Sequence, residues 1–323
     1  MRSWSFRHGA LFTCAAAMLA GCSGSQLPGA MPQTSASYKQ PSLRGWMSPN
    51  RQKTKRLLYI SVAVSGTVEL VDVYSVPKYT LLGQITDGID GPDGLAVDAK
   101  GNLYVANHLT SQVTVYPPGK TSPSLTLNEP DSPTDVAVGN NGYVYVSDAA
   151  GGVDVFPPGA TSSNRRLTNP NLTQAGGVAV SSSNNVYADG ENPDSFCSYT
   201  SSLCNPAVVE FANAKGSGKK LGLTGLGGRL AGVVVDDHKL IVSEFDRGEI
   251  LSYPLGQTSP SSTISVTNPV RPAINKAENK IYVPENSYTY LGGVDVYDYP
   301  SGKFVTNIPA GDTGAALSPA PTP

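Results

Sequence analysis

Acidic and amide side chains recur at matched places along this 323-residue chain. Asn107, Asp148, Asp189 with Glu191, Glu244, and Glu285 with Asn286 each stand at or just after the end of a short apolar segment. Asp93 and Asp135 stand at the start of another. Gathered at a common rim, such a series would favour a divalent cation, calcium or zinc, or a ligand carrying positive charge. Asp148, Glu244 and Glu285 are the candidate metal ligands. A plainer role is open to the same positions, because a short Asp or Asn side chain after a strand satisfies the amides of the following turn. Glu244 and Glu285 are longer and cap turns less well. His108 reads as a loop residue beside this series.

The apolar segments that carry these residues are copies of one unit. Leu58-Tyr59-Ile60, Leu103-Tyr104-Val105, Val144-Tyr145-Val146, Val186-Tyr187-Ala188, Leu240-Ile241-Val242 and Ile281-Tyr282-Val283 have centres 45, 41, 42, 54 and 41 residues apart. Around the second copy the chain reads strand, turn, strand, loop, strand. Lys100-Gly101-Asn102 reverses it, and Pro117-Pro118-Gly119 ends the third strand by removing N–H groups from pairing. The third strand ends in an aromatic every time: Tyr74, Tyr116, Phe156, Phe211, Tyr253 and Tyr297. A large ring at one repeated position is a packing wedge between neighbouring sheets. Weaker outer strands are expected at residues 81–85, 125–127, 166–168, 221–223, 264–266 and 304–308.

Units of this length cannot bury both faces alone and must stack on their own copies. Six four-stranded units, rich in Gly and Pro and lacking helical periodicity, predict an all-β six-bladed β-propeller of antiparallel blades. The first copy has no inner strand ahead of Leu57, whereas Gly314-Ala315-Ala316-Leu317 lies beyond the last outer strand. The C-terminal segment is therefore expected to pair with the first blade and close the ring, removing a sheet edge. In such a meander the second strand returns to the face where the inner strand began, so the acidic series shares one face.

The units resemble NHL-repeat blades. Residues 92–107 follow the pattern of that family, Pro-x-Gly-hydrophobic-Ala-Val-Asp followed by Gly-Asn-hydrophobic-Tyr-Val-Ala-Asn, and Asn107-His108-Leu109 occurs literally. The resemblance covers roughly residues 57–318 and implies the fold more firmly than a function; with the acidic rim, the expectation is a non-catalytic binding module working through its acidic face. Gluconolactonase-type (senescence-marker) propellers are distantly similar and imply an alternative: a metal-dependent lactonase-like hydrolase with a divalent ion at the channel mouth, using Asp93, Asp148, Glu244 and Glu285. The chain departs from that pattern where Thr134, Gly176, Ala231 and Pro272 replace the Asn-Gly inner-strand starts. It also has no Gly-x-Ser-x-Gly elbow and three His in all.

Residues 1–22 read as a signal segment. Arg2 and Arg7 precede an apolar run, and Leu19-Ala20-Gly21-Cys22 resembles the bacterial lipobox, which implies diacylglyceryl and N-acyl chains on Cys22. The expected address is the bacterial cell envelope, at the outer membrane or the outer face of the cytoplasmic membrane. Residues 23–56, rich in Ser, Pro and Gln, read as a disordered tether with a reach of roughly 30 Å, and 319–323 as a short tail. Cys197 and Cys204, the two thiols left in the mature chain, are expected to form a disulfide within an insertion of the fourth unit. A net charge of −2 leaves no nucleic-acid footprint. The partners expected are the membrane, through Cys22, and a protein or small envelope ligand.

Overall fold

The computed structural model describes residues 56–64, 68–128, 131–192, 205–236, 238–275, 279–286, 292–309 and 313–318. Cys22, the tether, the tail and the Cys197–Cys204 pair lie outside them. Twenty-four strands follow one another in six sets. The first is β1 (Leu57–Val64), β2 (Val68–Ser75) and β3 (Leu81–Ile85). The second is β4 (Pro92–Val97), β5 (Leu103–Asn107), β6 (Gln112–Tyr116) and β7 (Leu125–Asn128). The third is β8 (Pro133–Val138), β9 (Val144–Asp148), β10 (Gly152–Phe156) and β11 (Arg165–Leu167). The fourth is β12 (Gln174–Val180), β13 (Val186–Glu191), β14 (Pro206–Phe211) and β15 (Lys219–Lys220). The fifth is β16 (Leu230–Val235), β17 (Lys239–Glu244), β18 (Glu249–Pro254) and β19 (Ser262–Ser265). The sixth is β20 (Ala273–Asn275), β21 (Lys280–Pro284), β22 (Val294–Asp298) and β23 (Lys303–Ile308), and β24 (Gly314–Ser318) follows.

Each set is a four-stranded antiparallel meander, and the first is completed by β24, giving the order β24-β1-β2-β3. Leu57 pairs with Ser318 and Ser61 with Gly314, so the two ends of the folded region meet in one blade, as the sequence predicts. Without that pairing β1 would present a bare row of amides and carbonyls.

The blades adhere through six apolar clusters, each spanning two neighbours. Alternation along the middle strand produces this. Leu103 and Val105 face the first blade with Leu57, Tyr59 and Val71, whereas Tyr104 and Ala106 face the third with Val136 and Val146. Both faces are buried, which is why the middle strands read as unbroken apolar runs. The terminal aromatics act as wedges: Tyr116 packs on the first blade, Phe156 on the second, Phe211 on the third, Tyr253 on the fourth and Tyr297 on the fifth. Tyr74 closes the circle against the sixth. The Tyr116 hydroxyl also donates to the Asp87 carbonyl at 2.7 Å, tying its blade to the preceding connection. Truncating such a ring to Ala costs about 3–5 kcal/mol.

The outer strand of the fourth blade departs from expectation. It is Lys219–Lys220, not residues 221–223. Gly222 takes a left-handed φ of 64°, which ends the extended run. Leu221 and Leu223 pack against the cluster shared with the fifth blade.

Candidate functional site

The inner strands begin irregularly, and that irregularity organises the face. Pairing slips between Pro92 and Leu95, Pro133 and Asp135, Ala175 and Val178, and Leu230 and Val233. Bulges of this kind leave amides without ladder partners. Carboxylates take them. Asp135 accepts from its own strand at Val136 N (2.8 Å) and from the fourth blade at Val178 N (3.1 Å). Asp189, fully buried, accepts from Gly177 N in its own blade and from Gly232 N of the fifth at 2.8 Å.

Glycine makes these approaches possible. A Cβ on Gly94 would lie 2.0 Å from Asp135 Oδ1, and one on Gly177 would lie 2.7 Å from the Gly232 Cα. Hydroxyls add further ties between blades. Ser61 Oγ donates to the Asp93 carbonyl (2.7 Å), Thr134 Oγ1 to the Ala175 carbonyl (3.0 Å) and Thr313 Oγ1 to the Pro92 carbonyl (2.8 Å).

One cation sits among these carboxylates. Arg271, just ahead of β20, binds Asp93 through both guanidinium nitrogens and donates to the Thr313 carbonyl at 3.1 Å. Burial raises the Asp93 pKa, with Arg271 and His108 opposing. Burial pushes Asp135 up to about 7 and Asp189 to about 6, and Arg271 opposes both shifts.

The second-strand ends are held locally. Asn107 is fully buried, accepts Asp90 N (3.0 Å) and donates to Thr114 Oγ1 (2.8 Å). Asp148 accepts Ala150 N at 2.9 Å and is paired with Arg166, which also contacts Asp154. Glu244 accepts Gly227 N (2.6 Å) and Gly228 N through Oε1. Burial raises both carboxyls against these donors. Glu285 accepts Thr267 N at 3.3 Å, and burial together with neighbouring Asp295 pushes it to about 7. Asn286 joins through its backbone, to Asn268. The turn-capping role thus extends to Glu244, where the longer side chain reaches back over a glycine pair.

Glu191 differs. Its backbone carbonyl receives Thr173 N (3.0 Å), but its Oε2 is buried with no hydrogen-bond partner among the described residues. It lines a recess of about 280 Å³ together with Thr134, Ala149, Gln174, Ala175, Gly176, Gly190 and Leu230, drawn from three blades. Burial pushes this carboxyl to about 7, with Arg229 opposing and Asp246 and Asp189 adding to the shift. Among the described residues, no three His, Cys, Asp or Glu side chains form a group that could hold a metal ion.

Arg271, Arg166 and Asp295, the neighbour of Glu285, are groups that the sequence reading passes over. The Arg that precedes the sixth inner strand, where the second has Pro-Asp, is a signal that identifies Arg271. No helix among the described residues is long and apolar enough to cross a membrane.

No protein-family model and no curated protein matches the chain. Solved structures do. A chain from a crystal structure of a nidogen/laminin complex superposes with a TM-score of 0.65 at 13% identity, over 83% of this chain and 100% of that one. At that identity the shared property is the fold: this chain is an all-β six-bladed propeller.

Proposed function

We propose that the chain is a lipid-anchored bacterial envelope protein whose propeller is a non-catalytic binding module, engaging a protein or small envelope ligand through its acidic face. One observation carries the reading. Asp148, Glu244 and Asp93, which a hydrolytic metal site would need, are occupied by Arg166, by the Gly227 and Gly228 amides, and by Arg271. Glu191 lines a recess and, like Glu244 at Oε2, keeps a buried carboxyl oxygen with no hydrogen-bond partner among the described residues. A ring of six blades suits recognition, since buried carboxylates tie its rim to backbone amides of neighbouring blades.

The test is metal analysis of the purified chain together with lactone hydrolysis before and after chelation. No stoichiometric metal and no turnover is the expected result; bound metal with chelator-sensitive turnover overturns the reading in favour of the lactonase-like hydrolase. For the anchor, Cys22→Ala is expected to move the protein out of the membrane fraction. Retention there would remove the lipid from the proposal.

A further inference from the structure

Glu191 shares one side of β13 with Tyr187 and Asp189, the side that packs against the fifth blade. It lines the recess together with Ala149 of the third blade, Gln174 of its own and Leu230 of the fifth. The residue keeps 8% of its surface. A carboxyl oxygen buried to that degree without a donor is costly, and a hydrogen-bond donor carrying positive charge relieves the cost most fully.

We propose that this recess binds a small ligand through a primary ammonium group, with Glu191 Oε2 accepting one of its N–H bonds and the Gln174 side chain available to a neighbouring polar group. This deepens the binding-module reading and rests on it. The surroundings select the ligand class. Anions are disfavoured by Glu191, whose proton affinity the nearby Asp246 and Asp189 both raise. Calcium needs six to eight oxygens, and a single carboxyl faces the recess. An apolar ligand would cover the exposed Gln174 and bury Glu191 further without return. The volume, near the lower end of about 300–1,000 Å³ for small-molecule sites, suits a compact body such as an amino sugar or a short diamine.

The chemistry has a proton signature. Burial keeps the free carboxyl partly protonated near neutrality, with Arg229 of the fifth blade opposing and Asp246 of that blade and Asp189 of its own strand adding to the shift. An arriving ammonium stabilises the carboxylate, so binding releases a proton from Glu191 to solvent.

The test is titration calorimetry of the purified full chain with glucosamine, putrescine and, as the neutral control, N-acetylglucosamine. The expected result is binding of at least one amine and none of the control. The amine that binds separates a sugar source from a diamine source. At pH 6.5 the heat should change with the ionisation enthalpy of the buffer, and affinity should fall as pH drops below about 7. Glu191→Gln should weaken binding at least tenfold. Ala149→Leu, which fills the recess from the third blade without touching the carboxyl, should do the same, with both variants keeping the parent melting temperature. Equal binding of N-acetylglucosamine, amine binding unchanged in Glu191→Gln, or no amine binding at all overturns the site. That failure leaves the binding-module reading standing, which falls only to chelator-sensitive turnover.

Discussion

Arg271 reaches past the closing strand to Asp93, 178 positions earlier in the chain, and holds its two carboxylate oxygens at 2.8 and 3.0 Å. Its third contact, the Thr313 carbonyl, lies at the foot of β24. One side chain therefore joins the sixth blade, the second blade and the C-terminal latch. Arg271→Ala should leave Asp93 without its partner and cost roughly 2–4 kcal/mol, read as a lower urea midpoint. The figure sits below that for a fully dry pair because the Asp93 side chain keeps 20% of its surface. An unchanged midpoint would show that the latch holds without this tie.

Stability should fall as pH rises from about 4 to about 7. Asp135 and Glu285 titrate near 7 in the fold and Asp189 near 6, all above their unfolded values of about 4. The folded chain then binds more protons than the unfolded one in that window, so the stabilisation is complete below about pH 4 and is lost through the folded pKa values. Asp246 works in the opposite sense: burial disfavours its charge, but Arg229 outweighs that and holds it below its ordinary value. Melting temperatures measured from pH 4 to 8 check the slope, and Asp135→Asn should flatten part of it.

Gly94→Ala should cost about 3 kcal/mol, the upper part of the usual range for overpacking. The added methyl would meet the Asp135 backbone at 2.5 Å as well as its carboxylate, so no rotamer change relieves it. Denaturant unfolding measures the loss; a difference below about 0.5 kcal/mol, the scale of an ordinary surface substitution, would mean the inner strands yield.

A chain ending before Thr313 should self-associate. Removing β24 uncovers the edge of β1 and the apolar surface that Ala315 and Leu317 share with the sixth blade. Size-exclusion chromatography should show dimers or aggregates, because an open strand edge recruits another chain. A monodisperse monomer would contradict it.

The architecture is legible in the repeats because it is dictated locally: each middle strand must bury two faces, each third strand ends in a wedge, and the missing inner strand leaves β24 as its replacement. The site is much less so. Asp135 and Asp189 reach amides across blade boundaries, and those amides exist only because Gly177 and Gly232 sit in bulges that strand alternation does not announce. Asp148 and Glu244 both read as candidate metal ligands in sequence, Glu244 the more so because its longer side chain caps turns less well. Their occupants, Arg166 and the Gly227–Gly228 pair, lie 18 and at most 17 residues away. Leu221 misled the placement of the fourth outer strand because its apolar character serves the next blade.

The antiparallel latch brings the chain's entry at Leu57 and its exit at Ser318 side by side. Tension applied between these two points peels the pairs off singly, from Leu57–Ser318 inward, so the ring has a built-in weak seam under load. A donor and an acceptor fluorophore placed at Leu57 and Ser318 would report from the same corner of the molecule, the donor brightening as the acceptor dims when that seam parts.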